Sequence, residues 1–474
     1  MNAVTENSTK PIPWKGVDIL DATGGDLLSG DIKTVFSGIS IDSRSISADD
    51  LFVAVRGNNY DGFSFAGDTV SRGVRGLLIN SDKKDSLQFE KREKSGIVCF
   101  VVKDTIKALG DLARFNRRRA NVSVVAITGS NGKTTTKDMT ASVVAGKFCT
   151  LSTTGNLNNE IGLPLTLLRL CPCHEWAVLE LGMNRPGEIG RLADICLPDI
   201  GIITNVKHAH LEGLGSIENI MHAKGELLPK IGKSGIAVLN ADDRRVVKLA
   251  DKISNNVLFY GLSNRADIRA ESVADKKNGV SFTLILPGES VCVNLKVFGN
   301  FMVSNALAAA GVGYFLGQNA LEIKAGLEDL QPAYGRMNIF ITGGVHVIDD
   351  TYNANPDSMK AAIMAFGSLK GRNRGAIVAG DMLELGEFAE SMHKKIGSLS
   401  AGSDIAKLYI TGDFAESVAS GAREKASSLD IFTGTREEIL EDLIKWLMPD
   451  DWVLIKGSRA MGMEKVVEGL RQGI

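Results

Sequence analysis

A lysine and three consecutive threonines follow one of the most apolar stretches of this chain. Residues 122–127 read Val-Ser-Val-Val-Ala-Ile, and Thr128-Gly129-Ser130-Asn131-Gly132-Lys133-Thr134-Thr135-Thr136 comes next. The β-branched run predicts a strand, the glycine-rich segment a turn, and the residues from Lys137 onward a helix. A loop of this kind turns backbone N–H groups and the positive end of the helix dipole toward an anion. In that setting Lys133 reaches the outer phosphates of a nucleotide, and the Thr134 hydroxyl holds a Mg²⁺ that bridges them. A standard P-loop has a further glycine where Ile127 stands, so the motif is the shorter Gly-x-x-Gly-Lys-Thr.

Further candidates lie at the ends of other apolar runs. Glu180 closes Trp176-Ala-Val-Leu-Glu. In an open parallel sheet the ligand crevice lies at the carboxyl ends of the strands, which places Glu180 beside the P-loop as a Mg²⁺ ligand. His208 and His210 follow the run 199–204, in Thr204-Asn-Val-Lys-His-Ala-His-Leu-Glu-Gly213. Two histidines at i and i+2 beyond a second strand end are candidates for a site. Lys224, in His222-Ala-Lys-Gly-Glu226, reads as a surface lysine on composition alone. Cys171-Pro-Cys173-His174 has half of a metal-knuckle spacing, but no second Cys/His pair follows it, so a structural zinc is not expected there.

The elements that must position these residues require more than one core. At 474 residues the chain exceeds a single ordinary domain. Its 54 basic and 56 acidic side chains nearly balance and form no long block of one sign, which argues against a nucleic-acid or membrane-surface partner. Arg117-Arg118-Arg119 is the one basic cluster and reads as a solvated helix end. Six cysteines in so long a chain are no disulfide framework and fit a reducing compartment. The stretch from Met1 to Trp14 lacks the apolar core of a secretion signal, and no apolar run is long enough to span a bilayer. A soluble, cytoplasmic protein is expected.

Three units follow from the patterning, all α/β. Residues 1–103 hold short strand-like runs at 38–42, 51–55, 76–79 and 97–102, with polar strand ends at Asp42-Ser43-Arg44 and Arg56-Gly57. Residues 104–334 read as a helix at 105–118, the P-loop strand, and then strands without polar alternation separated by helices. That pattern predicts a mostly parallel sheet covered on both faces, with an antiparallel extension over 256–298 and a buried alanine-rich helix at 304–315. Residues 335–474 repeat strand–helix pairs, with strands at 345–349, 376–380, 408–411, 431–432 and 452–456, in a Rossmann-like unit. No Gly-x-Gly-x-x-Gly follows any of these strands, which argues against a dinucleotide cofactor.

Taken together, the motifs resemble the Mur ligase family over essentially the whole length. The family's P-loop is the short form Thr-Gly-x-Asn-Gly-Lys-Thr seen here. Residues 153–164 (Thr-Thr-Gly-Asn-Leu-Asn-Asn-Glu-Ile-Gly-Leu-Pro), Asp350-Thr-Tyr-Asn-Ala-Asn-Pro-Asp-Ser358, Gly380-Asp-Met-Leu-Glu-Leu-Gly386 and Lys456-Gly-Ser-Arg459 are similar to stretches of the member that adds D-alanyl-D-alanine to UDP-MurNAc-tripeptide in peptidoglycan synthesis. The Asp-Asn-Pro-Arg motif of the diaminopimelate-adding member is absent.

The resemblance implies a UDP-substrate-binding unit at 1–103, a central ATP-binding unit at 104–334 and a C-terminal ligase unit at 335–474. It implies an ATP-dependent, ADP-forming amide ligase, expected as a monomer, with two Mg²⁺ ions. Gly129, Ser130, Asn131, Gly132, Lys133, Thr134 and Thr135 would hold the ATP phosphates, Asn305 the adenine, Arg336 the phosphates from the third unit, and Asp350 the ribose. Thr134 and Glu180 would ligate the first metal, and His210 and Lys224 the second, Lys224 as a CO₂-derived carbamate. Lys133, His210, Lys224 and Arg336 form the implied catalytic set. Ser43, Arg44 and Arg56 would bind the uridine nucleotide, with Asn156, Asn158 and Asn159 also facing substrate. Many members have histidine where Asn300 stands here, a departure next to the adenine contact. The alternatives are a folylpolyglutamate-synthase-like ligase, which lacks a uridine-binding first domain, and a non-enzymatic P-loop switch, which leaves Lys224 without a role.

Overall fold

The described residues form four sheets, and the two largest turn the carboxyl ends of their strands toward each other. The computed structural model describes residues 9–57, 60–86, 96–251, 253–254, 256–276, 279–331 and 333–473. Residues 1–8, the greater part of the polar N-terminal stretch, lie outside the described residues.

The first unit is a five-stranded sheet in the order Asp26–Ser29, Val98–Val102, Gly76–Asn80, Leu51–Val53, Ile39–Ser40. All its pairings are parallel except the first. Leu51–Val53 and Val98–Val102 are buried along their whole length, which is why they read as unbroken apolar runs. Asp26–Ser29 was not legible: it is an edge strand of mixed composition, exposed at Asp26 and half-buried beyond. A short antiparallel pair, Trp14–Lys15 with Val35–Phe36, closes one end. There Phe36 lies across Gly76, where a β-carbon would fall 2.3 Å from its ring.

The central sheet has nine strands, in the order Glu289–Leu295, Gly279–Leu286, Ile268–Lys276, Asn256–Gly261, Ile236–Asn240, Ile200–Ile203, Ser123–Thr128, Trp176–Glu180, Thr150–Ser152. The expected antiparallel extension begins later than residue 256. Asn256–Gly261 pairs in parallel with both neighbours, and only the pairings among Ile268–Lys276, Gly279–Leu286 and Glu289–Leu295 are antiparallel. The alanine-rich helix, Asn300–Phe315, is buried from Val303 through Gly313 except at Ser304, because its small side chains let it lie close against the sheet and the P-loop helix Lys133–Ala145. That P-loop helix starts at Lys133, earlier than the expected Lys137.

The helix Thr105–Ala120 joins the first unit to the central one, and its arginines are not the solvated end that their clustering implied. Only Arg118 is exposed. Arg117 donates to the Cys196 and Leu197 carbonyls and pairs with Asp199 at 2.9 Å. Arg119 stacks on Trp14, 3.8 Å from the ring centre, and donates to the carbonyls of Ile12 and Pro13.

The third unit is a six-stranded sheet in the order Asn338–Thr342, Val345–Asp349, Trp452–Lys456, Gly375–Ala379, Lys407–Ile410, Asp430–Thr433. It is parallel except for the first hairpin, which the sequence reading missed because Asn338–Thr342 is a half-exposed edge with Ile341 facing outward. Among the described residues no helix is long and apolar enough to cross a membrane.

Candidate active site

The P-loop owes its shape to the neighbouring strand end. Ser123–Thr128 lies between Trp176–Glu180 and Ile200–Ile203, all parallel, with Glu180 opposite Ile127 and Ile203 opposite Thr128. Beyond Ile203, the Thr204 hydroxyl and the Asn205 amide both donate to the Asn131 carbonyl, at 2.7 and 3.0 Å. The Ser130 N–H donates to the Asn205 carbonyl at 3.0 Å, the Asn131 N–H to Asn205 Oδ1 at 3.0 Å, and Ser130 Oγ to the Lys207 carbonyl at 3.0 Å. Gly129 and Gly132 have φ of 151° and 80°, and β-carbons there would meet Thr204 Oγ1 at 1.8 Å and Asn305 Oδ1 at 2.4 Å.

The Ser130 and Asn131 N–H groups are thus committed to Asn205. The anion-facing donors are the N–H groups of Gly132, Lys133, Thr134 and Thr135, which have no intrahelical partner at the start of the helix Lys133–Ala145. Lys133 Nζ folds over the loop to the carbonyls of Gly129 (2.9 Å) and Ser130 (3.4 Å). Burial lowers its pKa, and the Glu180 carboxylate pulls the other way.

Thr134 is the meeting point. Its hydroxyl donates to Glu180 Oε2 at 2.7 Å and accepts from the Arg336 guanidinium at 2.8 Å. Glu180 is only 3 % exposed, its second oxygen accepts from Asn158 Nδ2 at 2.8 Å, and its N–H donates to Thr153 Oγ1 at 3.0 Å. Arg336 is braced by Tyr352, 4.0 Å from the ring centre. A hydroxyl and a buried carboxylate 2.7 Å apart at the mouth of a phosphate loop form an oxygen donor pair suited to Mg²⁺.

Three further contacts join the third unit to the same loops. Asn355 Nδ2 donates to Asn131 Oδ1 at 2.7 Å, and the His208 N–H donates to Asp357 Oδ2 at 3.2 Å. His210 Nδ1 lies 2.6 Å from Glu384 Oε2, and that contact holds the Glu384 pKa below the usual carboxylate range despite burial. His210 has a left-handed backbone (φ 57°), as does Glu384 (φ 63°). Asp350 accepts from Lys456 Nζ at 2.6 Å and from the Met337 N–H at 3.1 Å.

Most of these residues line one cleft of about 1070 Å³ between the central and third units, with Gly129, Thr153, Thr204 and His208 outside its lining. Of the residues singled out from sequence, Ser130 to Thr135, Asn158, Asn159, Glu180, His210, Asn305, Arg336 and Asp350 line it. Lys224 lies just behind the lining, on the helix Ile217–Gly225, and is 1 % exposed rather than a surface lysine. Burial drives its pKa well below the ordinary 10.5, with the Lys133 charge adding to the effect. Asn158 holds Glu180, and Asn159 Oδ1 accepts from the Ile161 and Gly162 N–H groups, so both carry structural bonds.

Asn156 is exposed and outside the lining. Ser43, Arg44 and Arg56 are not brought to the cleft. Arg44 pairs with Asp42 at 2.8 Å and Arg56 with Asp82 at 3.1 Å, while the Ser43 carbonyl accepts from Arg72. Sequence reasoning assigned no role to Glu384, Asn355, Asp357 or Lys456. The signal was available, because each falls in a motif already noted, at 350–358, 380–386 or 456–459.

Profiles of the Mur ligase middle domain, the Mur ligase glutamate ligase domain and the Mur ligase family catalytic domain match residues 127–313, 335–459 and 35–117. The UDP-N-acetylmuramoyl-tripeptide–D-alanyl-D-alanine ligase of Escherichia coli (strain K12) is 35% identical over 460 residues, covering 96% of this chain and 97% of its own. The chain belongs to the Mur ligase family. Among solved structures, a MurF from Acinetobacter baumannii superposes with a TM-score of 0.89 at 32% identity, over 98% of this Mur ligase and all of that chain. A MurF from Thermotoga maritima in complex with ADP gives 0.81 at 29% identity, over 92% and 97%. The three-unit architecture is therefore that of the family.

Proposed function

We propose that this Mur ligase joins D-alanyl-D-alanine to the C-terminal carboxylate of UDP-N-acetylmuramoyl-tripeptide, with ATP converted to ADP and phosphate. The observation that carries this reading is the Thr134 hydroxyl, on which the P-loop, the buried Glu180 and the third unit's Arg336 converge. Full-length similarity to ligases of that name supports the choice of substrates.

A carboxylate is a poor acyl donor because its oxygen cannot leave as oxide. Attack of a carboxylate oxygen on the γ-phosphorus of ATP breaks the bond to ADP and gives an acyl phosphate. The dipeptide's neutral amine then attacks the carbonyl carbon, phosphate leaves, and the amine loses its proton. The protein's part is positioning and charge neutralisation. The free N–H groups at the start of the P-loop helix bind the phosphates, Lys133 and Arg336 balance the charge that develops there, and Asn158 fixes the Glu180 rotamer. Mg²⁺, held by Thr134 and Glu180 and in a second position by His210 and Lys224, would supply further neutralisation of the phosphate oxygens. The contacts from Asn355, Asp357 and Glu384 bring the third unit over the loop, which excludes water from a hydrolysable intermediate.

Lys224 fits the carbamate role on physical grounds. CO₂ adds to a neutral amine with loss of a proton, and a buried amine beside the Lys133 cation is held neutral at pH values where an exposed lysine is charged. The product is an anionic oxygen ligand, which suits a hard metal. Asn305 is assigned to adenine, Asp350 to the ribose, and Ser43, Arg44 and Arg56 to the uridine nucleotide of a substrate anchored on residues 1–103. A cytoplasmic monomer is the state assigned to the enzyme. The test is ADP release from MgATP with each substrate alone and with both. Release that needs both, with one amide per ADP, supports the proposal; release indifferent to the dipeptide overturns it.

A further inference from the structure

At the opposite end of the central sheet from the cleft, four soft donors come together. Cys149 directly precedes the edge strand Thr150–Ser152, and Cys171, Cys173 and His174 lie in the turn before Trp176–Glu180. Strand pairing places them side by side. Trp176 pairs with Thr150, and the Cys149 carbonyl accepts from the N–H groups of Glu175 (2.8 Å) and Trp176 (3.3 Å). The Cys149 N–H donates to Glu175 Oε2 at 3.0 Å, and the His174 N–H to the Cys171 carbonyl at 3.1 Å.

The ligating atoms of Cys149, Cys173 and His174 all lie within 4.8 Å of one another, and this is the one such cluster among the described residues. Cys171 Sγ is 3.1 Å from His174 Nδ1 and 3.9 Å from Nε2. Cys171 stands outside that set of three and brings its sulfur beside it through His174. None of the four is in a disulfide, and Cys149 is exposed, which a cysteine acting as a small apolar filler would not be.

Zinc with bonds of about 2.3 Å to sulfur and about 2.0 Å to nitrogen sets tetrahedral donors roughly 3.5–3.8 Å apart, within the span of these separations. Thiolate and imidazole donors select zinc over the Mg²⁺ that suits the cleft. We propose that Cys149, Cys171, Cys173 and His174 form a Cys₃His site for a structural zinc ion, which clamps the three-residue edge strand Thr150–Ser152 to Trp176–Glu180. Binding replaces three S–H protons, released to solvent, with three Zn–S bonds, and His174 adds a neutral nitrogen. The strand Trp176–Glu180 carries the zinc turn at its amino end and the cleft carboxylate at the other, so the ion supports the sheet without touching the reacting groups. The Cys-Pro-Cys-His spacing alone holds three of these four donors, because the third sulfur, Cys149, comes from upstream and is delivered by strand pairing.

The test uses the full-length, reduced protein stripped with chelator and kept in excess Mg²⁺, which occupies oxygen sites. One equivalent of Co²⁺ is expected to give tetrahedral d–d bands and a near-ultraviolet thiolate-to-cobalt band, both erased by one equivalent of Zn²⁺, and Zn²⁺ is expected to raise the Tm. Cys149→Ser, at an exposed side chain that folding tolerates, is expected to weaken Zn²⁺ binding about 100-fold or more, as is Cys173→Ser, whereas Cys292→Ser leaves it unchanged. Absence of the thiolate band in the native protein overturns the proposal. So does a band of unchanged intensity and affinity in both variants, or formation of a Cys149–Cys173 disulfide by a protein that takes up no metal.

Discussion

Arg336 and Arg44 are both arginines beside a short strand, and both have been given substrate-facing roles, yet the structure treats them differently. Arg336 crosses to another unit, donates to Thr134 at 2.8 Å and lies over the Tyr352 ring. Arg44 turns back to Asp42, two residues away, and its side chain is 86% exposed. The same contrast separates the cleft from the first unit as a whole. In the cleft the chemistry-bearing side chains hold one another, Asn158 holding Glu180 within the central unit, and Glu384 holding His210 and Asn355 holding Asn131 across units. In the first unit Ser43, Arg44 and Arg56 are engaged by partners within that unit. A cross-unit contact is organised for a task before substrate arrives, whereas a surface pair must be rearranged by the substrate itself.

That contrast can be broken most directly at the cleft. Lys133→Ala is expected to lower kcat by on the order of 10³, because it removes a cation from the phosphates in a partly desolvated site, with circular dichroism unchanged. Lys224→Ala is expected to lose about 100-fold and, unlike Lys133→Ala, to regain part of its rate in acetate, whose carboxylate replaces the carbamate oxygens; near-native turnover without rescue would remove the carbamate assignment. Glu384→Gln leaves His210 without its anionic partner and is expected to cost roughly 10-fold, read as a fall in kcat with altered Mg²⁺ dependence.

Arg44→Ala marks the other side of the comparison. Its expected effect is about threefold in KM for the uridine-linked substrate, with kcat unchanged and rim-type loss of a screened charge. A fall in kcat as large as that of Lys133→Ala would show that the first unit is as tightly coupled as the cleft. A separate effect is on stability. In the folded chain Lys224 has its pKa lowered from 10.5, so in the window between those values the unfolded chain binds one more proton. Stability of the CO₂-free protein should therefore rise with pH there, by about 1.4 kcal/mol per pH unit from this group, and Lys224→Met should remove that slope in urea titrations.

The parallel core strands were legible because burial on both faces writes an unbroken apolar run, as in Ser123–Thr128 and Trp452–Lys456. The strands Asp26–Ser29 and Asn338–Thr342 were not, since an edge with one face in solvent has neither a clean run nor a clean alternation. For the site, the P-loop and Glu180 could be read from residue type and strand ends, and the resemblance supplied Lys224 and Arg336. What spacing could not reveal was pairing between distant segments: Asn205 taking up the Ser130 and Asn131 N–H groups, Glu384 on His210, Cys149 beside Cys173. Such contacts depend on how strands align, which no single stretch of sequence encodes.

One consequence of the bridging contacts concerns the passage of nucleotide. Arg336 ends on Thr134 and Asn355 ends on Asn131, so two of the third unit's contacts, beside those to His208 and His210, are made to the loop that faces the phosphates itself. Nucleotide entering or leaving the loop therefore has to share Thr134 and Asn131 with the contacts that join the two units, which ties its passage to their geometry.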